Sequence, residues 1–147
     1  MNFTCTALWT KRTWRLPTEK CRWARWWWIP RGEIIGAGHN APLASCDPSG
    51  HAEVRALREA GQRLGNYRLE GCTLFVTLEP CMMCAGTMVH ARIARLVYGA
   101  PEPRTGMVES KANLLAQPWF NHQIEITGGV LAVPAKRLLK QFFAEKR

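Results

Sequence analysis

The residues in this chain best suited to chemistry are His51 and Glu53, followed thirty residues on by Pro80, Cys81 and Cys84. Two cysteines three apart can point from the first turn of a helix to one metal. Proline suits the position before them, because its missing N–H would have no partner inside the helix. Zinc prefers a tetrahedral set of thiolate sulfur and imidazole nitrogen, and a catalytic zinc keeps three protein ligands and one open position. His51, Cys81 and Cys84 supply three ligands and no evident fourth, so they predict one Zn²⁺ per chain in an open site. Glu53 lies two residues from His51 and can reach a metal-bound water without being a ligand. A carboxylate placed there can take protons from that water and return them.

A CxxC pair alone is a weak signal, because it also serves redox centres and zinc ribbons. The spacing H-x-E followed by P-C-x-x-C is far more specific, and it is the pattern of the zinc-dependent nucleobase deaminases. Deaminase chemistry is therefore expected, in preference to a structural zinc site.

The elements around these residues follow from the apolar pattern. Residues 33–38 read as a strand ending in glycines, leading to His39 and Asn40. Asn40 precedes a loop rich in Pro, Ser, Asp and Gly over 41–50; it could offer a donor and an acceptor to a base edge or simply cap the loop. Residues 51–64 read as a helix with Val54, Leu57, Gly61 and Leu64 on its apolar face. His51 and Cys81 then open successive helices, and two helix N-termini aimed at one point favour thiolates and a metal-held anion. Residues 71–78 form a central strand, and Met82 and Met83 belong to packing. A strand over 95–99 leads to a proline-marked loop over 101–106. A short helix over 111–116, a strand over 124–126 and a helix over 134–146 complete the chain. The last carries Leu138, Leu139, Phe142 and Phe143 on its apolar side. Strands alternating with helices predict a three-layer α/β domain.

Length and composition permit one domain with a real core. No run of eighteen apolar residues suggests a transmembrane helix, and no apolar segment near the start suggests a signal peptide. Cys46 and Cys72 read as ordinary thiols in a reducing cytosol. The net charge of +9 is unevenly spread. Residues 1–31 carry seven basic residues and one acid, +6, which leaves 13 basic and 10 acidic residues, +3, for the rest.

Six of the seven tryptophans also fall before residue 29. This stretch shows no helical or alternating periodicity. It reads either as a cationic tail that touches membrane or RNA, or as an out-of-frame translation. The genetic code separates the two. Trp26, Trp27 and Trp28 require TGGTGGTGG, which becomes consecutive GTG valine codons when read from the third base. With allowed codons, residues 20–28 shift to Val-Pro-Val-Gly-Ala-Val-Val-Val, the composition of a buried strand. Residues 2–8 can likewise shift to Glu-Phe-Tyr-Met-His-Arg-Ala, and the frame is restored by Gly32-Glu33-Ile34-Ile35. The out-of-frame reading is adopted, with residues 1–31 as an atypical segment and 32–147 as the deaminase domain.

From residue 32 onward the chain resembles the bacterial tRNA-specific adenosine deaminase family, within the cytidine deaminase-like superfamily. Beyond the zinc motif, the resemblance rests on residues 66–69, 73–86 and 90–93, on Gly99-Ala100, and on Arg104-Thr105-Gly106. It continues through Asn121-His122, Gly128-Gly129 and Phe142-Phe143. It implies a three-layer α/β/α cytidine deaminase-like fold with a mixed central sheet, in which the first strand lies between the 33–35 and 72–78 strands. It also implies a cytoplasmic, homodimeric hydrolase that converts adenosine to inosine at the wobble position of a tRNA anticodon stem-loop. His51, Cys81 and Cys84 then hold the zinc, and Glu53 is catalytic. Asn40 meets the base, the Ala52 N–H could position the nucleophile or the base, and the loop carrying Glu102 meets the anticodon backbone. Here Glu102 stands between two prolines, a departure from the family pattern. The alternatives are a free-base or nucleotide deaminase acting on cytosine, guanine or dCMP, and a non-catalytic zinc or RNA-binding module, which would have no need of Glu53.

Overall fold

The computed structural model describes residues 25–28 and 33–144. The sheet has five strands: β1 (Arg25–Trp28), β2 (Ile34–Gly38), β3 (Thr73–Leu78), β4 (Arg95–Ala100) and β5 (Glu125–Thr127). Their spatial order is β2-β1-β3-β4-β5. β1 runs antiparallel to both neighbours, whereas β3, β4 and β5 run parallel. The sheet is thus mixed, as expected, and residues 25–28 occupy the interior slot foreseen for the first strand. Readings of the rest of 1–31, and of the side chains of 25–28, Leu138, Phe142 and Phe143, lie outside the described residues.

Helices cover both faces. α2 (Ala52–Leu64) and α3 (Met82–His90) pack with Leu74, Leu96 and Tyr98 in the main core. Successive strand residues face opposite sides of a sheet. Gly99 accordingly faces the other layer, where a Cβ on it would lie 3.1 Å from the Ala135 Cβ of α4 (Ala132–Ala144). β4, covered on both sides, is buried from Leu96 through Ala100, and so its sequence is a continuous apolar run. Among the described residues, no helix is long and apolar enough to cross a membrane.

The contact between β2 and α2 places the future site. α2 presents Ala52, Ala56 and Ala60, all fully buried, to Gly36 and Gly38. A Cβ on Gly36 would lie 2.6 Å from the Ala56 carbonyl oxygen, and one on Gly38 would lie 2.9 Å from the Ala56 nitrogen. Backbone therefore meets backbone, and the helix can approach the strand only because both surfaces are small. This differs from the predicted apolar face: Val54 and Leu57 are buried, but Leu64 is 44% exposed, and alanines do the packing. β2 is also an edge strand. Its Ala37 N–H donates to Glu59 at 2.9 Å, and its Ile34 carbonyl accepts from Arg63 at 3.0 Å, so α2 covers hydrogen-bonding groups that an edge leaves open.

Three further differences are local. Residues 41–50 contain a four-residue helix, α1 (Pro42–Ser45), begun by proline at its first position. The expected helix over 111–116 is a single 3₁₀ turn, Leu114–Ala116. Met82 is 64% exposed and not a packing residue, whereas Met83 does lie against the core.

Candidate metal centre

His51 and Cys81 each sit at the N-cap of a helix, with extended backbone angles of φ −70°, ψ 150° and φ −77°, ψ 175°. N-cap side chains commonly accept a hydrogen bond from the first turn. Neither does so here. Both turn instead toward a common point, joined by Cys84 one turn into α3. Cys81 Sγ lies 3.6 Å from His51 Nδ1, Cys84 Sγ lies 3.5 Å from it, and the two sulfurs are 3.6 Å apart. A tetrahedral zinc at ordinary bond lengths requires sulfur–sulfur separations of about 3.8 Å and sulfur–nitrogen separations of about 3.6 Å. The three side chains therefore fit one zinc without rearrangement, and they are the group among the described residues able to hold a metal.

The thiols show the same arrangement electrostatically. Hydrogen bonding from Cys84 draws the Cys81 thiol down to about 5. The same bond, with burial and the Glu53 carboxylate, pushes Cys84 up. Two sulfurs share a proton where a divalent cation would leave both as thiolates. Glu53 is 5% exposed in the first turn of α2, and its carboxylate hydrogen-bonds with Cys84. It is beside the ligand cluster without belonging to it. A carboxylate is also favoured there by the helix N-terminus.

The other predicted site residues are placed less centrally. The Ala41 N–H donates to the Gly50 carbonyl at 2.9 Å, which ties together the ends of the 41–50 loop that separates Asn40 from His51. Asp47 accepts from the Ser49 N–H and hydroxyl at 2.8 and 2.7 Å, and Arg58 of α2 reaches both residues. Ala52 is fully buried, with its N–H in the first helical turn, where such groups lack acceptors within the helix. Glu102 is not among the ligands. Its carboxylate accepts from the Arg104 N–H at 3.0 Å and faces the Arg104 guanidinium at 3.8 Å.

Glu79 was missed by the sequence reading. It is 3% exposed, between the end of β3 and Pro80. One carboxylate oxygen accepts from the backbone N–H groups of Val108, Glu109 and Ser110 at 3.1, 2.8 and 2.8 Å. The other accepts from the Glu102 N–H at 3.0 Å and from the Ser110 hydroxyl. Burial would raise its pKa, but these donors outweigh it and hold the carboxyl at about 2. The only hint in the sequence was Gly106: a Cβ there would lie 2.6 Å from the Glu102 carbonyl oxygen and closer still to the Glu79 carboxylate.

Residues 28–100 match the zinc-binding region of cytidine and deoxycytidylate deaminases. The chain is 46% identical over 114 residues to the tRNA-specific adenosine deaminase of Haemophilus influenzae, covering 78% of this chain and 66% of that protein. It is 45% identical over 119 residues to the protein of that name from Bacillus subtilis, covering 81% and 74%. It is also 48% identical over 118 residues to part of the tRNA(Ile)-lysidine synthase of Deinococcus deserti, covering 80% of this chain but 22% of that protein. A solved structure from a study of A-to-I editing by tRNA:A34 deaminases superposes with a TM-score of 0.75 at 35% identity, covering 79% of this chain and 83% of that one.

Proposed function

The chain belongs to the family of bacterial tRNA-specific adenosine deaminases, and on that premise we propose that it hydrolyses adenosine to inosine at the wobble position of a tRNA anticodon. The observation that carries the reading is the near-equal spacing of His51 Nδ1, Cys81 Sγ and Cys84 Sγ, with a buried carboxylate beside them. A zinc held there supplies a water made acidic near neutral pH. Glu53 would take both protons of that water in turn, delivering one to the ring nitrogen and one to the departing amine. The C6–N bond breaks, ammonia leaves and the water oxygen remains on C6. Asn40 reads the edge of a base splayed from the anticodon loop. The Ala52 N–H, at the helix start, orients the base or the nucleophile. The loop carrying Glu102 and Arg104 meets the RNA backbone, with phosphate contacts that fix orientation and carry no sequence information.

The same reading includes a homodimer working in the cytoplasm, which sedimentation of the purified protein and cell fractionation test. The activity is tested by incubating the zinc-loaded, correctly framed protein with an anticodon stem-loop carrying the wobble adenosine, and separately with adenosine, cytosine, guanine and dCMP. Inosine in the RNA with nearly untouched small substrates is expected, because binding energy from the surrounding RNA holds the base in place. Comparable kcat/KM on a free base or nucleotide would move the assignment to the small-substrate deaminases.

A further inference from the structure

We propose that Glu79 is a positioning residue that latches the 102–110 segment to the zinc helix, so that RNA held by that segment presents its base in register with the metal. This inference rests on the RNA-deaminating function proposed above. Glu79 stands two residues before the ligand Cys81, and its carboxylate takes hydrogen bonds from four backbone N–H groups and one hydroxyl, all from residues 102–110. Its own N–H donates to the Ala100 carbonyl at 2.9 Å, and the neighbouring Pro80 carbonyl accepts from the Met107 N–H at 2.9 Å. The segment is thereby bound at both ends and in its middle to the turn that begins α3.

Among the described residues no cation pairs with this carboxylate; backbone dipoles neutralise it, as in an anion-binding nest. A Lys or Arg partner would have stabilised the charge without specifying a loop shape. Four N–H groups from one loop can converge on one carboxylate only in one loop conformation. That conformation leaves the Arg104 side chain 91% exposed, paired only loosely with Glu102, and leaves Lys111 exposed just beyond Ser110. Surface pairs of this kind hold side chains weakly, so both cations are available to phosphate. A buried carboxylate thus fixes where two exposed cations stand relative to Cys81.

The test is Glu79→Gln in the zinc-loaded full chain with residues 1–31 in the corrected frame. An amide has one acceptor oxygen, so one set of N–H donors meets an NH₂ group instead. Zinc is expected to stay at about one per chain, because all three ligands remain. KM for the anticodon stem-loop should rise about tenfold or more, with kcat at saturating RNA within about threefold, since removing positioning contacts weakens binding and leaves the chemical groups in place. Arg104→Ala should weaken RNA binding in the parent and have little added effect in the Glu79→Gln background, because coupled residues are not additive. Ser110→Ala, which removes a single donor, should shift KM in the same direction by less, and serves if Glu79→Gln does not fold. Hydrogen exchange should show the amides of Val108, Glu109 and Ser110 losing protection while those of α3 keep theirs. Additive losses from the two substitutions, or a fall in kcat with KM unchanged, would overturn the positioning role. A parent that makes no inosine in RNA overturns the proposed function instead, and unchanged protection at 108–110 in Glu79→Gln then overturns the latch as well.

Discussion

β1 and β3 lie side by side in the same sheet, each flanked by strands on both edges, yet they could hardly differ more in sequence. β3 is Thr-Leu-Phe-Val-Thr-Leu, the β-branched and apolar mixture that an interior strand between helices requires. β1 is Arg-Trp-Trp-Trp. The backbone path of the fold demands a strand in that slot, and the written residues are poorly suited to fill it. A strand between helical layers favours Val, Ile and Leu, and the sequence Arg-Trp-Trp-Trp departs from that composition. We propose the out-of-frame reading as the source of the mismatch, since its three consecutive valines would fall on residues 25–28. A fold can be recognised from the part of a chain that obeys its rules, and the part that breaks them is then best examined at the level of the gene.

The largest expected effect concerns this contrast directly. A reframed protein with Val-Pro-Val-Gly-Ala-Val-Val-Val before residue 32 should give a cooperative thermal melt, whereas the chain as written should be poorly soluble or melt without cooperativity. Sequencing of the locus that confirms the written frame, together with a cooperative melt and full activity of the written chain, would remove the contrast. Next in size is Glu53→Ala, which should lower inosine formation by roughly 10³-fold or more while zinc content stays at one per chain, because one group carries several proton transfers. Activity within about tenfold of the parent would exclude Glu53 as the proton carrier. Cys84→Ala should release the zinc, measured by metal analysis; full occupancy would refute the ligand set.

Smaller effects sharpen the comparison from the side of β2. In the reframed protein, Gly38→Ala forces a methyl group into the α2 backbone and should cost about 2–3 kcal/mol, lowering the melt by roughly ten degrees. Leu64→Ala should cost less than about 1 kcal/mol, since nearly half of the residue is exposed. A large loss there would restore the face that periodicity alone suggested.

What could be read in advance divides along physical lines. The cluster able to hold a metal was legible because zinc chemistry restricts both residue type and spacing, and β4 was legible because burial on two faces leaves a continuous apolar run. Leu64 was misplaced because 3.6-residue periodicity locates a face but cannot tell that alanines opposite glycines have drawn the helix off-centre. α1 went unseen because four residues carry too little periodicity, though Pro42 at its first position marks it in retrospect. Glu79 was illegible because its partners lie about thirty residues away and are mostly backbone N–H groups, which are the same for every side chain.

The placement of His51 and Cys81 at two helix starts has a consequence for the unfolded chain. The two ligands are thirty residues apart, so a zinc joining them closes a loop of that length. A covalent cross-link over such a loop stabilises a fold by roughly 3–4 kcal/mol in chain-entropy terms, and a tightly held metal acts in the same sense because its site exists only in the folded state. Zinc here is then also a staple. Its removal frees the ends of both helices that carry the ligands, and the apoprotein should unfold more readily than the loss of three coordinate bonds at a surface site would suggest.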